Sequence, residues 1–158
     1  MQKNNFLITQ NIDGLHQKSG IPRNKIIEIH GNAIEAACLE CGAKQNITDF
    51  HDAIKTKKQL PRCTVCNGTV KVATISFGQP MHEEDMEKAS NIVEDSDLMI
   101  VMGSSLKVLP AGKLPNLAMQ SGSKLVILNR EKTRYDSIAD VVINDELQNI
   151  CSGLIHEL

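Results

Sequence analysis

Four of the chain's five cysteines fall into two pairs, Cys38-x2-Cys41 and Cys63-x2-Cys66, with 21 residues between the pairs. Two such pairs place four thiolates tetrahedrally around one Zn2+, each pair presenting two ligands from a tight turn. The gap is slightly longer than usual, and a longer loop or helix between the pairs absorbs it. Gly42 and Gly68, just beyond the pairs, suit the tight backbone. Four cysteines packed only as small hydrophobes would carry no paired spacing, and the second pair weakens a redox reading of the first. Four thiolates leave no open coordination position, so the expected metal is structural. Cys151, alone on the last helix, is expected to pack in the core.

Other chemistry-bearing residues follow apolar runs. Thr9-Gln10-Asn11-Ile12-Asp13-Gly14-Leu15-His16 offers two amides, a carboxylate and an imidazole within eight positions. His30-Gly31 sets a second imidazole at the end of Ile26-Ile27-Glu28-Ile29. Gly103-Ser104-Ser105 stands between an apolar run and a helical one, where backbone N–H groups favour phosphate or ribose oxygens. Each has a plain structural alternative: Asn-Ile-Asp-Gly is a good turn, a strand-end His is commonly a satisfied structural residue, and Gly-Ser-Ser is a common junction that poorly matches the full dinucleotide fingerprint.

The elements that must position these groups alternate between strand and helix. Asn5–Thr9, Ile26–Ile29, Val70–Phe77, Asp97–Met102, Lys124–Leu128 and Val141–Ile143 read as strands. Glu83–Val93, Ala111–Gln120 and Glu146–Ile155 read as helices. Runs such as Leu98–Met102 are apolar throughout, as strands of a parallel sheet covered on both faces must be. In open sheets of this kind, ligands bind beyond the carboxyl ends of the strands. The expected architecture is α/β, an incomplete doubly wound, Rossmann-like parallel sheet. Residues 1–33 and 69–158 form that domain, and residues 34–68, cysteine- and lysine-containing, form an inserted zinc-ribbon module.

Composition narrows the function classes. With 17 Lys+Arg against 19 Asp+Glu, the net charge is −2, too little positive charge for a direct nucleic-acid clamp. Aromatics are 3% of residues and Trp is absent, which argues against a base-stacking platform. No run approaches the ~18 apolar residues of a membrane span. The N-terminus lacks a secretory pattern, so a cytoplasmic location with reduced thiols is expected.

Taken in order, Thr9–His16, His30-Gly31, the four cysteines, Ser76-Phe77-Gly78, Gly103-Ser104-Ser105-Leu106 and Val126-Ile127-Leu128-Asn129 resemble the sirtuin (silent information regulator) family of NAD-dependent protein-lysine deacylases. Phe77-Gly78-Gln79-Pro80-Met81 is similar to a prokaryotic variant; many relatives have Glu where Gln79 stands. The resemblance implies that His30 is the catalytic base and that Asn11 orients the reacting ribose. It implies that Gln10, Asn11 and Asp13 line the nicotinamide and ribose pockets, with Asp13 holding the carboxamide. Gly103, Ser104, Ser105 and Asn129 match positions around the cofactor phosphates and adenosine ribose, and Leu147 lies where relatives contact adenine. Ile75, Phe77, Gly78 and Val108 match the segments that flank an acyl-lysine peptide. The implied co-substrate is NAD, the implied structural ion Zn2+, and the implied partner an acylated-lysine protein or peptide.

The resemblance begins after the family's first strand and its Gly-Ala-Gly-type phosphate turn, and no such turn occurs elsewhere in the chain. The expectation is therefore a C-terminal fragment, with an interior strand of the parallel sheet missing and an apolar sheet edge exposed. Within the same fold, mono-ADP-ribosyl transfer is the alternative reaction. A non-catalytic, zinc-stabilised remnant that binds NAD or a partner is the alternative from another class.

Overall fold

The computed structural model of the protein describes residues 4–56, 60–76 and 78–156. The chain divides into two compact units, Met1–Asp85 and Met86–Leu158.

In the first unit, β1 (Leu7–Thr9) and β2 (Ile26–Glu28) pair in parallel, Leu7 opposite Ile26 and Thr9 opposite Glu28. The crossover between them holds α1 (Leu15–Lys18) and a 3-10 turn at Arg23–Lys25. Ile29 prolongs the pairing by donating its N–H to the Thr9 carbonyl at 3.1 Å. Ile27 and Ile29 turn their apolar side chains into the interior.

A second sheet, in the order β4-β3-β5, is antiparallel. It consists of β3 (Gly31–Cys38), β4 (Lys44–Asn46) and β5 (Val70–Thr74), with α2 (His51–Lys55) after β4. β3 gave little signal in sequence. Asn32-Ala33-Ile34-Glu35-Ala36-Ala37 is rich in Ala and polar residues that strands disfavour, and pairing on both edges overrides that preference. Ala36, Cys38, Phe50, Cys63 and Val70 make the core of this module. β5 stops at Thr74, short of the expected Val70–Phe77 run; Ile75 still donates to the His30 carbonyl at 3.0 Å, and Phe77 lies outside the described residues.

In the second unit, β6 (Leu98–Met102), β7 (Lys124–Leu128) and β8 (Val141–Ile143) form a parallel sheet in that order. Its helices are α3 (Glu83–Glu94), which starts at the unit boundary, α4 (Leu114–Gln120) and α5 (Leu147–His156). The expected Ala111–Gln120 helix is split: Ala111–Lys113 is a 3-10 turn, and the α-helix begins at Leu114 with Pro115 in its first turn. Proline is tolerated there because the first-turn N–H groups have no intrahelical partner. Leu125 and Ile127 are fully buried, and Val101, Leu106 and Tyr135 pack with them. β7 is thus buried as a central parallel strand should be. β6 is covered on one face only: Leu98, Ile100 and Met102 are each 50% exposed. Among the described residues, no helix is long and apolar enough to cross a membrane.

Candidate functional site

The carboxyl ends of β1 and β2 lie side by side because the two strands are parallel and in register. The Gln10–Asp13 turn leaves one and His30 leaves the other, so the amide-and-carboxylate turn and the imidazole share one rim of this sheet. His30 Nδ1 is 3.1 Å from the Gln10 carbonyl oxygen. A carbonyl only accepts, so Nδ1 carries the proton and, in the neutral ring, Nε2 holds the lone pair. The Ile12 carbonyl accepts from Ala33 N–H at 2.8 Å, locking the turn against the start of β3. Asn11 N–H donates to the buried Thr9 hydroxyl at 3.1 Å, and Asp13 Oδ1 accepts from Leu15 N–H at 2.9 Å, so Asp13 also braces α1. The side chains of Asn11 and Asp13 are exposed.

Between His30 and β3, Gly31 has φ 69°, and a Cβ there would overlap the Ala73 carbonyl. The next residue, Asn32, is buried; its Oδ1 accepts from the Ile34 and Glu35 amides, and its Nδ2 donates to Glu28 and Glu35. Sequence reading passed over Asn32, whose only signal is its place directly after His-Gly. Ile75 is set beside His30 by its backbone hydrogen bond, and exposed Gly78 follows at φ 82°. Gln79 Oε1 closes that turn, accepting from Lys71 Nζ at 2.9 Å and Ser76 N–H at 3.3 Å.

Within the second unit, Gly103 ends β6 and donates to the Leu128 carbonyl at 2.9 Å. Asn129 ends β7, buried, with its N–H on the Ile143 carbonyl and its Nδ2 on the Glu131 carbonyl. A Cβ on Gly103 would come within 2.8 Å of Leu147 Cδ1, so Gly103 and Leu147 meet at the same rim. Ser104 Oγ accepts from Leu106 N–H at 3.3 Å, Ser105 is exposed, and Val108 is 42% exposed. The Gly103–Gly112 connection is held by two residues absent from the sequence reading. Arg134 donates to the Leu106 and Gly112 carbonyls at 2.6 and 2.9 Å, and the Tyr135 hydroxyl donates to the Gly112 carbonyl at 2.9 Å.

The sulfurs of Cys38, Cys41, Cys63 and Cys66 all lie within 4.8 Å of one another. Cys38–Cys66 and Cys41–Cys63 are 3.5 and 3.7 Å apart. Zn–S bonds of about 2.3 Å in a tetrahedron put sulfurs about 3.8 Å apart, so the donor set and its spacing fit a zinc ion. The two turns match: Gly42 N–H bonds to the Cys38 carbonyl and Asn67 N–H to the Cys63 carbonyl, with positive φ of 72° and 60°. The second turn therefore takes its left-handed residue from Asn67. The expected Gly68 serves another need, since a Cβ there would strike the Glu40 carboxylate and crowd the Cys38 sulfur.

The protein environment already separates the thiols. The Cys66 amide, with the Val65 amide and the neighbouring sulfurs, outweighs burial and draws Cys63 down to about 6. At Cys38 the Cys41 amide pulls downward, but burial and the Cys66 and Glu40 side chains push the thiol up to about 12. Cys151, expected in the core, is half-buried on α5 and is not a member of the cluster of four.

Parallel strands with polar carboxyl-end loops, joined to an antiparallel four-cysteine module, define a Rossmann-like protein carrying a zinc-ribbon type of insert. The Sir2 family model matches residues 1–110, and the chain belongs to the Sir2 family. It is 44% identical over 141 residues to the NAD-dependent protein deacetylase of Rhodopseudomonas palustris, covering 89% of this chain and 56% of that protein. It is 47% identical over 141 residues to NAD-dependent protein deacetylase 1 of Bradyrhizobium diazoefficiens, covering 89% of this chain and 55% of the relative. The chain thus spans a little over half the length of these curated relatives. A solved structure of Sir2Tm bound to a propionylated peptide superposes with TM-score 0.88 at 36% identity, covering 96% of this chain and 63% of that one. One of Sir2 with a p53 peptide and NAD+ superposes with TM-score 0.85 at 35% identity, covering 96% and 62%.

Proposed function

We propose that this chain carries the base and part of the cofactor and peptide sites of an NAD-dependent protein-lysine deacetylase or deacylase. The observation that carries the reading is the juxtaposition of His30 with the Gln10–Asp13 turn on one rim, with the His30 tautomer fixed by the Gln10 carbonyl. Bound NAD would supply an electrophilic ribose carbon with nicotinamide as its leaving group, open to the acyl oxygen of the substrate. Asn11 orients that ribose and, with Gln10, lines its pocket, while Asp13 accepts from the carboxamide N–H. His30 Nε2 takes the proton of the ribose hydroxyl system, a task suited to imidazole, whose ordinary pKa lies near neutral pH. Gly103, Ser104, Ser105 and Asn129 receive the phosphates and adenosine ribose, and Leu147 the adenine. Ile75, Phe77, Gly78 and Val108 flank the acyl-lysine peptide.

On this reading, residues 34–68 are the zinc module, inserted between residues 1–33 and 69–158 of the nucleotide-binding domain. Cys38, Cys41, Cys63 and Cys66 hold the ion as a structural staple, and the need for four reduced thiols supports a cytoplasmic location.

The test is incubation of the purified chain with NAD and an acetyl-lysine peptide, following nicotinamide and deacetylated peptide by mass spectrometry. Equal amounts of both are expected, and His30→Ala lowers the rate by roughly 10²–10⁴-fold with thermal unfolding unchanged. ADP-ribose transferred to a protein acceptor would replace the deacylase reading by mono-ADP-ribosyl transfer. NAD binding without turnover would leave a binding module, and a His30→Ala rate equal to the parent's would remove His30 from the chemistry.

A further inference from the structure

Gln45, on β4, reaches across to the second cysteine turn, 18 residues away. Its Nε2 is 3.3 Å from the Cys63 sulfur, while its Oε1 accepts from the Thr64 backbone N–H at 3.1 Å and from the Thr64 hydroxyl at 3.0 Å. The orientation of this amide is not arbitrary. A backbone N–H only donates, so the Gln45 oxygen must face Thr64, and the NH2 group is left facing the sulfur. Pairing of Gln45 with Ala36 in the β3–β4 ladder fixes the backbone from which the side chain projects, and Ala36 packs in the same core as Cys63.

The two buried sulfurs of the tetrad have different side-chain neighbours. Cys38 lies 3.3 Å from the Glu40 carboxylate, which has no hydrogen to give a thiolate. Cys63 faces an amide donor. The backbone N–H groups near the sulfurs, among them those of Glu40, Cys41, Val65, Cys66 and Gly68, belong to the turns themselves and come with any such turn. Gln45 is a distant side chain that both anchors the second turn and donates to one of its ligands. Outer contacts of this kind orient a ligand and draw electron density from it, and losing one costs typically 10–100-fold in metal affinity.

We propose that Gln45 is a positioning residue of the metal site, which ties β4 to the second cysteine turn and sets the charge on the Cys63 thiolate through an N–H···S hydrogen bond. The proposal rests on the zinc reading of the four cysteines. Two substitutions separate its two roles. Gln45→Glu keeps an oxygen for Thr64 but puts a carboxylate in place of the donor, and Gln45→Ala removes both contacts.

The test uses the full chain, with zinc affinity from chelator competition and the thiolate-to-cobalt charge-transfer band after loading with Co2+. The expected result is zinc affinity lowered about 10–100-fold in both variants. The band should move to longer wavelength in Gln45→Glu, because a thiolate relieved of its hydrogen bond gives up charge more easily. A purely structural brace would weaken Gln45→Ala and leave the Gln45→Glu band in place, which overturns the N–H···S role. Parent-like affinity and band in both variants overturn the whole proposal. A parent chain that takes up neither metal refutes the zinc reading instead, and is told apart by needing no variant at all.

Discussion

His30 and Asn32 show how much of a site is backbone accounting. The Gln10 carbonyl holds the His30 Nδ1 proton, which selects the tautomer with the lone pair on Nε2, the one the proposed base needs. Two positions on, Asn32 takes two backbone amides and two carboxylates at the point where the chain turns from β2 into β3. Asn32→Ala leaves the Ile34 and Glu35 amides without that acceptor, and burial makes this costly. It should lower stability by about 1–3 kcal/mol, read from the midpoint of denaturant unfolding at unchanged slope. An unchanged midpoint would mean that water or a local shift replaces the side chain. The place of His30 after an apolar run was visible in the sequence, and the role of base came only with the family resemblance. The role of Asn32 was not visible, because any polar residue is plausible in a turn until its four partners are known.

Elements differ in how openly they announced themselves. β7 and β8 fall where their apolar runs lie, Lys124–Leu128 and Val141–Ile143, because an uninterrupted run of β-branched and aliphatic residues suits a parallel strand. β3 did not, being an Ala- and Asn-rich strand held by neighbours distant in sequence. The Gly103–Gly112 connection is likewise decided from outside. Leu106 is buried at φ 56°, a conformation that costs an ordinary L-residue roughly 1–2 kcal/mol, and Arg134 and Tyr135 clasp the carbonyls that hold it so. Arg134→Ala should therefore speed hydrogen exchange of the Leu106–Lys113 amides several-fold while leaving β7 amides protected, since local opening draws on local contacts. Equal exchange in parent and variant would assign the clasp to Tyr135 alone.

At the scale of the molecule, the two units draw on different sources of stability. The first unit has a small module core in which Cys38 and Cys63 are themselves packing residues, whereas the second buries Leu125, Ile127 and Val101 between a sheet and its helices. Because metal binding contributes folding free energy to such a module, a strong chelator should raise exchange across Cys38–Val70 and lower the thermal midpoint of the first unit. The second unit should be little affected, and a uniform loss across both would show that the chain melts as one body. The sequence by itself determined the paired thiols, the apolar parallel strands and the polar residues that leave their ends, since these depend on spacing along the chain and on side-chain chemistry. Tertiary structure alone decided that β5 joins β3, that Asn67 and not Gly68 supplies the left-handed turn, and that Gln45, Asn32 and Arg134 each hold a turn or connection within their own unit. Those outcomes turn on which groups meet across space, and hydrogen bonds between distant residues leave no period or motif in the order of amino acids.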